Sequence, residues 1–106
     1  MKRLARQVEI KGILYKVVQV APNDHRLLGD DFDRWAGTVD YKNCEILVDR
    51  TQSLQHKWQI FWHEVVHIIV AGCNDMHAEE EALVDIIGVE VFSICRQLKM
   101  LGNGGE

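Results

Sequence analysis

The sequence predicts a single α+β domain, in which a small antiparallel or mixed sheet of about three to four strands packs on two long antiparallel helices. Three observations predict it. Short β-rich runs punctuated by turn residues fill the first half of the chain. Two long apolar patterns at helical spacing fill the second half. Only the short segment Cys73 to Met76 separates those patterns, so the helices should fold back on one another.

Val8-Glu9-Ile10 and Ile13 to Val20 read as two strands around a Lys11-Gly12 turn. Pro22 to Asp33 is polar and acidic, a loop or a short helical turn. Gly37 to Tyr41 suits another strand, and Cys44 to Asp49 a stronger one that feeds the first helix across a short connection. Gln52 to Ala71 then reads as one helix, with Leu54, Trp58, Phe61, Trp62, Val65, Ile68 and Ile69 on its apolar stripe. Thr51 or Ser53 would cap its start, and Gly72 suits its C-terminal end. A second helix is expected from His77 to Met100, burying Leu83, Ile86, Ile87, Val91, Ile94 and Leu98. Asn74 or Asp75 would cap it, and Glu79, Glu80 and Glu81 fall in its first turns, where the helix dipole favours anions. The domain should span residues 1–101, with 102–106 as a glycine-rich tail.

Composition narrows the class. At 106 residues with 47% apolar and 26% charged side chains, the chain has enough material for one modest core. A net charge of −4 and the lack of a Lys/Arg stripe argue against a nucleic-acid surface. No run is apolar enough to span a bilayer, and Glu9 and Lys11 interrupt any signal-like stretch after Lys2, Arg3 and Arg6, so a cytoplasmic protein is expected. Cys44, Cys73 and Cys95 form no CxxC pair, and reduced thiols are the expected state.

The chemistry concentrates at His63-Glu64-Val65-Val66-His67. Imidazoles four residues apart on a helix lie one turn apart on one face, so both can reach one ion. Glu64 points about 100° round the helix, beside such an ion, where it can take a proton from metal-bound water. Zinc fits that role: its catalytic sites combine three protein ligands with a water of pKa roughly 7. A single histidine on an apolar face would be read as a packing residue. Two at this spacing around a glutamate favour metal.

A third ligand is sought on the second helix. With the connection centred near Asn74, His67 and Glu81 lie equally far from the centre, and His63 lies level with Asp85. Glu81 would complete the ligand set, while Asp85 would accept a hydrogen bond from the far nitrogen of His63 and fix its tautomer. Gly88, on the same face, would let the helices approach. Glu80 is the alternative to Glu81; Cys73 ranks lower, because its loop would have to fold back over the histidines.

His63-Glu64-Val65-Val66-His67 followed by Glu81-Ala82-Leu83-Val84-Asp85 is similar to the zinc site of gluzincin metallopeptidases, with their HExxH and downstream ExxxD. The size and layout resemble the minimal ImmA/IrrE-type members, many of them encoded by phages and mobile elements, although the longer C-terminal region of larger relatives is lacking. The resemblance implies a zincin-like fold and a zinc-dependent endopeptidase. In it, His63, His67 and Glu81 are ligands, Glu64 is the general base and Asp85 is the partner behind the ligands. It also points to Ile46, Leu47 and Val48 as the strand that binds substrate in extended form, against the plainer reading of a strand that merely covers the helices. A protein or peptide substrate is implied, such as a phage or mobile-element repressor. His77, at the start of the second helix, is the leading candidate to stabilise the transition state, with Tyr41 and His56 behind it. Two other classes remain open: a non-catalytic zinc-binding regulatory or interaction module, and a metal-free structural protein with the histidines packed against Trp58 and Trp62.

Overall fold

The computed structural model describes residues 3–29, 34–71 and 80–99, with the backbone alone for 80–86 and 88. It is an α+β arrangement of four strands and two helices: β1 (Gln7–Ile10), β2 (Ile13–Val20), β3 (Gly37–Asp40), β4 (Glu45–Asp49), α1 (Leu54–Ala71) and α2 (Glu80–Gln97). The strands form one mixed sheet in the order β1-β2-β4-β3. The expected β1–β2 hairpin forms, and its turn takes positive φ at Lys11 (53°) and Gly12 (81°). Positive φ at both central residues matches the right-handed twist of the flanking strands. β2 then runs parallel to β4, while β3 pairs antiparallel with β4 on the far side. A 3-10 turn at His25–Leu27 lies in the segment read as a loop or a short helical turn.

Residue alternation sorts the strands into two faces. Val8, Ile10, Tyr15, Ile46 and Val48 pack with Trp58, Ile60, Phe61, Val65, Ile68 and Ile69 of α1 and Ile94 of α2. On the opposite face Leu47 and Val20 bury against Leu27 of the 3-10 turn. Each fully buried side chain of this size contributes roughly 1.5–3 kcal/mol relative to exposure. Arg26 ties that turn to the end of the sheet: its guanidinium donates to Asp24 at 3.1 and 3.2 Å and to Glu45 at 3.2 Å. Its hydrogen bonds hold the Asp24 carboxyl down at about 2.

Helix α1 begins two residues later than its sequence pattern predicts, because a carboxylate claims the preceding residues. Asp49 accepts from the Thr51 amide at 2.9 Å, the Thr51 hydroxyl at 2.7 Å and the Gln52 side chain at 3.1 Å. Ser53 is therefore the cap, with its hydroxyl accepting from the His56 amide at 3.2 Å. The apolar stripe is also rotated slightly from expectation. Leu54 is exposed and Ile60 is buried in its place. Helix α2 ends where Lys99 turns left-handed (φ 57°) and its amide bonds the Arg96 carbonyl. Residues 72–79, including the expected connection, lie outside the described residues. Among the described residues, no helix is long and apolar enough to cross a membrane.

The two borders of the sheet differ. At the β1 border, Gln97 of α2 presents its amide to Glu9 as a surrogate strand. Its carbonyl accepts from the Glu9 amide and its NH2 donates to the Glu9 carbonyl, both at 2.9 Å. Glu90 accepts from the Lys11 amide at 3.2 Å. At the other border, among the described residues, β3 pairs with β4 and with no further strand.

Candidate active site

A cleft of about 870 Å³ runs between the segment that includes β3 and one face of α1. The helix supplies His56, Gln59, Ile60, His63, Glu64, His67, Val70 and Ala71, which recur at intervals of three and four residues. Arg34, Trp35, Ala36, Gly37, Thr38, Val39 and Tyr41 form the opposite wall. At about 1.5 Å per residue, the helical floor from His56 to Ala71 extends roughly 22 Å. That length matches about six or seven residues of extended polypeptide.

The two histidines converge as their spacing predicts. Their Nε2 atoms lie 3.0 Å apart, and the rings meet edge to face with centroids 4.6 Å apart. The separation suits a shared ion: two nitrogens bound to tetrahedral zinc at about 2.0–2.1 Å stand roughly 3.3–3.4 Å apart. Among the described residues, no group of three or more His, Cys, Asp or Glu is placed to hold a metal. The expected third ligand, Glu81, and its neighbour Asp85 lie on α2, but their side chains are outside the described residues, as are those of Glu80 and Cys73.

Glu64 differs from its neighbours in burial. It is 7% exposed while both histidines are exposed, although all three line the cleft. Burial raises its pKa, partly offset by the proximity of His63 and His67. A carboxylate so placed is more basic than one in water and still has access to the cleft. Gly37 explains how β3 comes so close. A Cβ there would meet Ile60 Cγ2 at 2.3 Å and the Leu47 carbonyl at 3.0 Å, and would stand 3.6 Å from Glu64 Oε2.

No protein-family model, curated protein or solved structure matches this chain.

Ile46, Leu47 and Val48 cannot be the strand that takes an added peptide. Their strand is internal, hydrogen-bonded to β2 on one side and β3 on the other, and all three residues are fully buried. The border beside the cleft is β3. Its register identifies the outward backbone groups. Asp49 N–H donates to the Ala36 carbonyl at 2.8 Å, so Ala36 and Asp49 form a hydrogen-bonded pair. By alternation, Thr38 and Asp40 also bond to β4, leaving the N–H and C=O of Gly37 and Val39 turned outward.

Tyr41 reaches the cleft from the tip of the β3–β4 hairpin. There the Asp40 carboxylate accepts from the Asn43 amide at 3.2 Å and from its side chain at 2.9 Å, and Cys44 turns left-handed. Burial, then the charge of Glu64, raises the phenol pKa, so the hydroxyl remains a donor near neutrality. His56 also lines the cleft, with Nδ1 2.6 Å from the Gln52 side-chain carbonyl. His77 lies outside the described residues. Sequence reasoning missed Trp35, Gly37, Gln59, Ile60 and Val70. The helical members were recoverable from the spacing that links His56, His63 and His67; nothing in the sequence marked Gly37.

Proposed function

We propose that this chain is a zinc-dependent, endopeptidase-like hydrolase of the minimal gluzincin kind, with Glu64 as general base. The carrying observation is the buried Glu64 carboxylate beside two converging imidazoles, in a cleft bordered by β3, which among the described residues pairs with no strand besides β4. His63 and His67 would hold the ion, with Glu81 of α2 as the proposed third ligand. A bound zinc would supply acidity to a water, lowering its pKa to roughly 7. Glu64 would take a proton from the attacking water and return it to the departing amine.

The substrate lies on β3 as an added strand. Outward N–H and C=O groups on Gly37 and Val39 hold it in extended form, while its scissile bond faces Glu64. The cleft extends about 10 Å beyond His63 toward His56 and about 6 Å beyond His67 toward Ala71. Room on both sides of the reacting bond favours internal cleavage of a chain over trimming of an end. A regulatory protein such as a repressor, cut at an accessible extended segment, is the substrate class consistent with the resemblance to ImmA/IrrE-type peptidases.

The test uses protein purified without a histidine tag. Wild type should bind about one zinc per chain and cleave internal bonds in a mixture of synthetic peptides of diverse sequence, read by mass spectrometry. Glu64→Gln should keep the zinc and lose roughly 10²–10⁴-fold in turnover. Zinc binding without cleavage by wild type would favour the regulatory module instead. A Gln variant as active as wild type would remove Glu64 from the mechanism.

A further inference from the structure

Trp35 is exposed where a chain would ordinarily bury it. It is 47% exposed and lines the cleft, yet its position is tightly fixed. Its amide donates to the carbonyl of fully buried Leu27 at 2.7 Å. The residue before it, Arg34, forms an antiparallel bridge with Leu28. The indole rests on Gly29: a Cβ at that glycine would lie 2.9 Å from Cε2 and 3.0 Å from both Cζ2 and Nε1. One edge of the ring is thus seated on bare backbone while the remainder faces the cleft. Fully covered, a tryptophan buries about 150–250 Å², so on the order of 100 Å² of ring awaits a partner.

We propose that Trp35 is the specificity-determining residue of the cleft, a fixed aromatic platform for one bulky apolar side chain of an extended polypeptide laid along β3. This rests on reading the cleft as a peptide site. The occupant follows from two features together. Gly37 and Val39 offer alternating backbone donors and acceptors, which an extended polypeptide satisfies. Trp35 precedes Gly37 by two residues, about 7 Å along an extended chain, so the ring meets a side chain adjacent to the bonded stretch. A ring already held by its own backbone and by Gly29 loses little freedom on binding, and the contact is correspondingly productive. The site therefore selects Phe, Trp, Leu or Met at one fixed distance from the cleaved bond.

The experiment compares wild type, Trp35→Ala and Gly29→Ala, each zinc-loaded, on the same peptide mixture. Gly29→Ala keeps the indole but occupies its seat, and serves as the second variant should Trp35→Ala fold poorly. Wild type should show a bulky apolar preference at one position relative to the cut. Trp35→Ala should flatten that preference and lower kcat/KM for such peptides by roughly 10- to 100-fold, chiefly through KM. Gly29→Ala should weaken the same position to a smaller degree. An unchanged profile in both variants overturns the platform while leaving the peptidase reading intact. If wild type cleaves nothing, binding of the same labelled peptides is measured by fluorescence polarisation. Preferential binding of bulky apolar peptides that Trp35→Ala abolishes then upholds the platform and sinks the hydrolase; binding indifferent to Trp35, or none, overturns the platform as well.

Discussion

Gly37→Ala should break the contact between β3 and α1. The added methyl would stand 2.3 Å from Ile60 Cγ2, against the 3.5–4.0 Å or so at which carbon atoms rest. Relief requires a displacement of about 1.2–1.7 Å. Retreat in the other direction is blocked, because the Leu47 carbonyl of the paired strand already lies 3.0 Å from the new atom. Overpacking of this kind costs about 1–3 kcal/mol. Each kcal/mol lowers Tm of a domain this size by about 4–8 °C. Urea titration would measure the loss, with Ile60→Leu as the diagnostic background. Leucine has no methyl on its β-carbon, so it removes Cγ2 while keeping the volume, at a cost usually below about 1.5 kcal/mol. In that background Gly37→Ala should cost less, by a coupling of about 0.5–3 kcal/mol. Strict additivity of the two substitutions would refute the argument that β3 rests on Ile60.

Gln97→Ala should uncover the β1 border, costing about 1 kcal/mol by denaturant titration and increasing light scattering on concentration, because Glu9 loses both of its surrogate-strand bonds. Asp49 makes a pH-dependent contribution. Burial opposes its charge, but hydrogen bonds from Thr51 and Gln52 and the charge of Lys57 win, so its folded pKa lies below 3.8. That stabilisation is present above 3.8 and is lost as pH falls through the depressed folded value, so Asp49→Asn should cost about 1–2 kcal/mol near neutrality and progressively less below pH 3.8. Tyr41→Phe should lower kcat by about 10²-fold with little change in KM if the phenol donates to the developing oxyanion; equal kcat would return that role to another group.

The elements that positioned the histidines were legible because their signals are local. A four-residue spacing inside an apolar helix fixes how two side chains relate, whatever the rest of the fold does. Strand runs at Val8–Ile10 and Ile13–Val20 were equally legible from their alternation and turn residues. Strand order was not. Ile46, Leu47 and Val48 form an uninterrupted apolar run, which in itself signals a strand buried on both faces and flanked by others. The border role passed to Gly37–Asp40, a weaker strand whose place depends on long-range pairing. The start of α1 was misplaced because Asp49 draws Thr51 and Gln52 into a turn, a competition between side chain and helix that hydrophobic spacing does not register. Gly37 and Gly29 carry no side-chain signal; their meaning lies in what presses against them.

A sheet finished at one margin and unfinished at the other can lengthen in only one direction. Among the described residues, Gln97 and Glu90 close the β1 margin, leaving accretion of any further strand to β3. Intermolecular stacking between copies would thus compete for the same backbone groups that an incoming ligand needs. If the β3 border takes a peptide as proposed, self-association through the same border would compete with it.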